Sequence, residues 1–300
     1  MPTPRSRILA ILLLVLSLSF SILAQDDDDV VKVDSSIVVV NATVTDASGN
    51  HAPGLRQNQF SIFENGAEQE INFFAAEETP FAAVILLDTS GSMEQRVSLA
   101  RSAAIKFLDG LRDSDNAEIY RFDSKVSVVQ KFSNSRDVGE KLFDLKADGM
   151  TALNDAVFQA AKDLADRPEK RRAIIVLSDG MDTISRRSSD KALKAALGVG
   201  ALIYTVDMSA TETNGRQRAQ NQGVLRNFAE KTGGMFIATP GGVAMREAFR
   251  KIVAELGAQY TIAYQPKNLT KDGKWRAVEV RVAKPGLTIR TRKGYHAAKQ

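Results

Sequence analysis

The spacing of apolar positions changes character twice along this chain. From Ser36 to Val44 the sequence SIVVVNATV is β-branched with partial alternation, which predicts a strand. Asp46–Gly49 reads as a turn. Phe60, Ile62 and Glu64 lead into Asn65-Gly66, a hairpin dipeptide, and Glu70–Ala75 is the expected returning strand. Beyond Pro80 the pattern becomes continuous. Phe81–Leu87 (FAAVILL) has no polar break, as expected for a strand covered on both faces of a parallel sheet. Val97, Ala100, Ala104, Phe107, Leu108 and Leu111 recur at helical spacing. Further strands are expected at Ala117–Phe122, Ala173–Leu177, Leu202–Val206 and Met235–Ala238. Helices are expected over Asp137–Lys146, Leu153–Ala165, Ser189–Leu197, Val224–Lys231 and Ala244–Leu256. This alternation predicts an α/β fold with a doubly wound, mostly parallel sheet and flanking helices. Val126–Phe132, beside Ala117–Phe122, predicts one antiparallel hairpin at the sheet edge.

After Gly257 the pattern returns to β, with strands expected at Gln259–Tyr264, Trp275–Val282 and Thr288–Thr291. Neither β flank is long enough to bury a core alone. The expected organisation is a leader at residues 1–24, an N-terminal β segment at 25–79, an α/β domain at 80–257, and a C-terminal β segment at 258–296 packed with the N-terminal one. Trp275, Tyr260 and Tyr264 are expected in that shared core, and His51 and His296 in loops.

The leader reads MPTPRSRILAILLLVLSLSFSILA: Arg5 and Arg7, an apolar core, then Ser19, Ser21 and Ala24. That is the anatomy of a secretory signal peptide, with cleavage expected after Ala24 and an exported, periplasmic or extracellular product. The rival is an uncleaved anchor, since Ile8–Ala24 spans 17 residues, at the short limit for crossing a bilayer. Membrane contact is expected only in that case. The acidic run Asp26–Asp29 reads as a solvated tail, because four adjacent carboxylates cannot all face one ion.

Composition then removes whole classes of chemistry. The chain has no cysteine, which excludes thiol catalysis, zinc ribbons, iron–sulfur clusters and disulfides. It has 2 histidines, one near each end, so imidazole-rich metal sites are out of reach. The net charge of +4 is small and includes the leader's two arginines, and the basic residues form no concentrated stripe with aromatics. No nucleic-acid partner is expected.

The remaining candidate chemistry lies in three short pieces. Asp88-Thr89-Ser90-Gly91-Ser92 follows the first continuous strand, where open α/β sheets bind ligands. Asp148-Gly149-Met150-Thr151 precedes a predicted helix, and Ser178-Asp179-Gly180-Met181-Asp182 follows another buried strand. Their donors are hard oxygens, which suit Mg²⁺, with Mn²⁺ or Ca²⁺ as alternatives. Taken singly, Thr151 or Asp179 is an ordinary cap or turn residue. The joint occurrence of all the pieces is what points to a metal site.

At these residues the chain resembles the von Willebrand factor type A domain, over about Pro80–Gly257. The matching set is that family's metal-ion-dependent adhesion site: Asp88, Ser90, Ser92, Thr151 and Asp179. The resemblance implies hydroxyl ligands from Ser90, Ser92 and Thr151, with Asp88 and Asp179 acting directly or through water. It also implies a protein partner whose exposed carboxylate completes the coordination. Asp182 has no place in the five-residue pattern and is expected to act only through a neighbour. The flanking fragments around Val44–Gly49, Gln59–Gly66 and Gly273–Tyr295 are similar to the exported type A-related proteins of acidobacteria.

The expected function is an exported, non-enzymatic adhesion or scaffolding module. The alternative from another class is a metal-dependent phosphatase or hydrolase. An aspartyl-phosphate enzyme wants a second Asp two residues after the first, where this chain has Ser90; no histidine is close in sequence, and no phosphate-binding Gly-x4-Gly-Lys-Ser/Thr occurs. A third reading is an envelope component in which the metal only stabilises the fold.

Overall fold

The computed structural model describes residues 37–76, 79–137, 140–209, 214–238 and 242–299. The leader and the Asp26–Asp29 run lie outside the described residues. Among the described residues no helix is long and apolar enough to cross a membrane.

The continuous apolar run becomes β5 (Phe81–Asp88), in which every residue is buried. Its partners are β6 (Asn116–Phe122) and β8 (Arg171–Ser178), both parallel to it. With β7 (Val126–Ser133), β9 (Ala201–Asp207) and β10 (Phe236–Ala238) they make a six-stranded sheet in the order β10-β9-β8-β5-β6-β7. Only the edge strand β7 is antiparallel. One face is covered by α1 (Val97–Asp109) and α5 (Val243–Gly257), the other by α2 (Leu153–Ala165), α3 (Ser189–Gly198) and α4 (Gly215–Thr232). Two apolar layers thus sandwich β5, β8 and β9, which explains why those strands read as unbroken runs. The chain leaves β5 for β6 on one side and later returns on the other as β8. The carboxyl ends of β5 and β8 therefore flank the point where the winding reverses, and there the crevice of an open sheet forms.

The flanks supply two four-stranded sheets, ordered β13-β1-β11-β4 and β14-β12-β2-β3. β1 (Val38–Thr45), β2 (Phe60–Glu64), β3 (Ala67–Gln69) and β4 (Phe73–Ala75) come from the N-terminal side. β11 (Tyr260–Tyr264), β12 (Trp275–Val282), β13 (Thr288–Arg290) and β14 (Gly294–His296) come from the C-terminal side. β1 pairs with β11 and β2 with β12, so each sheet needs both ends of the chain. Val40, Ile62, Tyr260, Ile262 and Tyr264 share one buried core.

Several hydrogen bonds join this module to the α/β domain, and two side chains, Arg171 and Glu255, each gather a group of them. Arg171 is fully buried, and its guanidinium donates to the carbonyls of Ala76 (2.8 Å), Thr79 (3.4 Å), Leu256 (3.5 Å), Gly257 (3.5 Å) and Gln259. Both places where the chain crosses between the two parts therefore meet at one side chain. Glu255, near the end of α5, accepts from Thr43 (3.1 Å), Tyr204 (2.7 Å) and Arg290 (2.5 Å).

Several expectations are corrected. The strand returning from Asn65-Gly66 is Ala67–Gln69, not Glu70–Ala75: both turn residues take positive φ, Glu64 pairs at once with Ala67, and Phe73–Ala75 crosses to the other sheet. Asp137–Lys146 is no helix among its described residues beyond a 3₁₀ turn at Glu140–Leu142; only Leu142 and Leu145 are buried there, too few to hold an amphipathic helix on the sheet. α4 begins at Gly215, nine residues before Val224, because its first turns are polar and give no apolar periodicity. Trp275 is 38% exposed and packs edge-on against His296, since β12 turns it away from the core. His296 sits in strand β14 rather than a loop.

Candidate metal centre

Asp88 ends β5 and is fully buried. Its Oδ1 accepts the Ser90 backbone N–H (2.9 Å) and the Ser90 hydroxyl (2.6 Å); its Oδ2 accepts the hydroxyl of Ser178 (2.5 Å). The Ser90 proton is thus committed to the carboxylate. The lone pairs of its Oγ are left for other donors or a cation, with the Ser92 Oγ 3.2 Å away. The turn that aims Ser92 is a 3₁₀ segment, Gly91–Met93, anchored by buried Met93. Burial pushes the Asp88 carboxyl up to about 6; the Ser178 and Ser90 hydrogen bonds oppose this, and the nearby Asp179 charge adds to it. Among the described residues no Lys or Arg pairs with Asp88.

The Thr151 loop is stitched to this turn along its backbone. Asp148 N–H donates to Thr89 O (2.9 Å), and Gly91 N–H to Gly149 O (3.1 Å). Gly149 has φ 74, which favours glycine, and a Cβ there would lie 2.6 Å from the Ser124 hydroxyl and displace it from the Met150 N–H that it holds. Thr151 is 2% exposed, and its hydroxyl has no hydrogen-bond partner among the described residues. Its backbone is held by Thr183, which accepts the Thr151 N–H at Oγ1 (2.9 Å) and donates its own N–H to Thr151 O (2.9 Å).

Asp179 follows β8 and is 9% exposed, with Oδ1 accepting the Met181 N–H (3.0 Å). Asp88, Ser90 and Ser92 are therefore joined by direct hydrogen bonds. Asp179 meets Asp88 through its charge, and Thr151 reaches the group through backbone contacts. The donors fit a hard divalent cation: three hydroxyls and two carboxylates, without nitrogen or sulfur. Among the described residues no three His, Cys, Asp or Glu side chains cluster as a metal group, so a cation here would rest largely on hydroxyl oxygens.

Of three supporting residues, Ser178 and Thr183 have no assigned role in the sequence pattern, while Asp182 acts through its neighbours as expected. Ser178 holds Asp88 across adjacent strands. Asp182 accepts the Asn154 N–H at the start of α2 (2.8 Å) and the Ser185 hydroxyl (2.7 Å), tying the Asp179 loop to the helix that follows Thr151. Thr183 holds Thr151. The signal for Asp182 was its place three residues after Asp179; Ser178 could be found only from the pairing of β5 with β8.

A second Asp-x-Ser turn ends β9. Asp207 is 1% exposed, and its Oδ1 accepts the Ser209 N–H (2.9 Å) and hydroxyl (2.6 Å), the same contacts that Ser90 makes to Asp88. Here Oδ2 accepts the Gln222 amide (2.7 Å), with Arg218 Nη2 at 3.7 Å.

Residues 83–181, which span all five candidate ligands, match the von Willebrand factor type A domain. Over those residues the chain is similar to that family, and the six-stranded sheet with its flanking helices has the type A fold. Among curated proteins it is 29% identical over 160 residues to an uncharacterised protein of Synechocystis, covering 52% of this chain and 36% of that protein. It is 23% identical over 178 residues to an uncharacterised protein of Borreliella burgdorferi, covering 51% and 52%. The chain thus spans about a third to a half of the length of these relatives. Among solved structures, a von Willebrand factor type A protein from Catenulispora acidiphila aligns with TM-score 0.51 at 17% identity, over 82% of this chain and 76% of that one. The corresponding domain of the type V pili tip protein Mfa5 from Porphyromonas gingivalis aligns with TM-score 0.50 at 13% identity, over 60% and 95%.

Proposed function

We propose that this chain is an exported, non-enzymatic protein-binding module of the adhesion or scaffolding kind. In this reading Asp88, Ser90, Ser92, Thr151 and Asp179 hold one Mg²⁺, or Mn²⁺ or Ca²⁺ in its place, and the site binds an exposed carboxylate of a protein partner. The observation that carries the reading is Asp88: a buried carboxylate whose serine neighbour turns its lone pairs outward, with no protein cation against it among the described residues. Each Asp88 oxygen accepts from a serine hydroxyl, so Asp88 would act on a cation through the Ser90 hydroxyl, through water, or from its remaining lone pairs. A bound cation would supply positive charge on the open side, attracting one more anion and making binding sensitive to chelators. Thr183 holds the Thr151 loop, and Asp182 ties the Asp179 loop to the start of α2. His51, bridged to Thr45, and His296, in β14, both belong to the β module, which leaves the site without an imidazole for proton transfer. The leader sequence and the likeness to a pilus tip protein support export to the cell surface.

Calorimetric titration of the EDTA-treated chain with Mg²⁺ tests this. One ion per chain is expected, and none in Asp88→Ala. Undiminished uptake by the variant sinks the assignment.

A further inference from the structure

The rim of the candidate metal centre carries two aliphatic side chains that the fold does not bury: Met150, 51% exposed, and Ile184, 43% exposed. They flank Thr151. Met150 precedes it in sequence, and the Ile184 N–H donates to the Thr151 carbonyl (3.2 Å). Neither sits on a loose backbone: Met150 N–H is held by the Ser124 hydroxyl (2.9 Å), and Ile184 lies between Thr183 and Ser185, both of which are bonded to the site loops. Scattered exposed aliphatics need no explanation, and several others lie on separate elements of this chain. A pair fixed on either side of one candidate ligand is different, because an apolar edge beside a charge-seeking centre excludes water when a partner seats and so strengthens the electrostatic contact. Methionine suits such an edge, since its unbranched side chain adapts to varied shapes. The charges in these loops are mixed, with exposed Lys125 and Arg186 beside Asp123 and Asp148, so the pull on a carboxylate is assigned to the bound cation and the packing of its neighbour to the apolar pair.

We propose that the partner is a protein segment in which the carboxylate is flanked by an aliphatic or aromatic residue, and that this residue packs on Met150 and Ile184. This rests on the metal-dependent reading above and adds the chemistry of the partner to it.

The test uses the full chain, loaded with Mg²⁺, and three capped peptides: acetyl-Gly-Asp-Gly-amide, acetyl-Leu-Asp-Leu-amide and acetyl-Leu-Asn-Leu-amide. The leucine-flanked aspartate should bind at least about ten-fold more tightly than the glycine-flanked one, and the asparagine peptide should not compete. In the double variant Met150→Ser, Ile184→Ser the preference should fall to roughly three-fold or less while Mg²⁺ affinity stays unchanged. Equal binding of the two aspartate peptides, a preference that survives the double variant, or equal binding of the asparagine peptide overturns the proposal. Loss is distinguishable from failure of the underlying reading. If Mg²⁺ is not taken up, the metal site itself is wrong; if Mg²⁺ is taken up and aspartate binds without regard to its neighbours, only the apolar edge is.

Discussion

Asp88 and Asp207 end strands on either side of β8, and each closes an Asp-x-Ser turn with the same two hydrogen bonds at the same lengths. They differ in what meets the other carboxylate oxygen. At Asp207 it is a glutamine amide, with an arginine close by; at Asp88 it is a serine hydroxyl, with no cation among the described residues. The turn is therefore a structural device in both places. Only at Asp88 does the chain leave that geometry without a cation of its own among the described residues, which is the ground of the metal-binding proposal. Sequence pattern alone does not separate the two, because Asp207–Thr211 reads Asp-x-Ser-x-Thr, nearly the pattern of Asp88–Ser92, with Thr211 outside the described residues.

The sharpest way to break this comparison is to truncate both carboxylates. Asp88→Ala should weaken Mg²⁺ binding by about 100-fold or more, whereas Asp207→Ala should leave it unchanged. Asp207→Ala should instead lower stability by about 2–4 kcal/mol in denaturant unfolding, since it strands buried donors from Gln222 and Ser209. Comparable loss of Mg²⁺ in both variants would make the two turns equivalent.

A pH series on the EDTA-treated chain probes the uncompensated carboxylate next. The folded Asp88 holds its proton to about 6, above its ordinary 3.8. Its contribution to stability is thus fully present below about 4 and is lost as the pH rises through about 6, a change on the order of 3 kcal/mol. Asp88→Asn should flatten that part of the curve, and Mg²⁺ should oppose the loss at pH 7.5. Glu118, pushed up to about 7 by burial and the Asp163 charge, gives a loss of the same sign at higher pH that survives in Asp88→Asn. A curve of unchanged slope in the variant removes Asp88 as the cause.

Arg218→Gln is a smaller test on the other side. The guanidinium is 34% exposed and 3.7 Å from Asp207, so its loss should cost only about 1 kcal/mol after solvent screening, with one Mg²⁺ still bound per chain. The smallest effect is expected for Thr151→Ala. Water can replace a neutral hydroxyl, so Mg²⁺ affinity should fall only several-fold, while binding of the aspartate peptide should fall further because that loop also carries Met150. Equal losses in the two titrations would leave the Thr151 loop a plain metal ligand.

Much of the α/β architecture was legible because strands covered on both faces print continuous apolar runs, as Phe81–Leu87 does, and because Leu153–Ala165 keeps its period without interruption. Where an element is held by something other than an apolar stripe, the sequence was silent. The first turns of α4 are polar throughout, and β14 is a three-residue strand paired only with β12. Asp137–Lys146 misled in the opposite sense: it has helical composition but among its described residues buries only two leucines. At the site, residues belonging to one short turn were readable together. The parts played by Ser178 and Thr183 depend on which strands and loops become neighbours, and spacing does not encode that.

The Arg171 junction bears on the order in which the chain acquires its shape. β1 leaves the ribosome long before β11, the strand it pairs with, and between them lies every strand of the six-stranded sheet. The sheet is assembled from segments that all lie within that interval, so it can form while β1 and β4 still wait for β11 and the β2–β3 hairpin for β12. Once it has formed, the carbonyls of Thr79 and Leu256 accept from the same guanidinium nitrogen, bringing the two distant crossings together. Pairing β1 with β11 then closes a short effective loop rather than one of some two hundred residues, and the entropic cost falls with the logarithm of that length. A buried arginine at the seam thus times the last step of folding: the β module is completed late, on a foundation that the inserted domain has already laid.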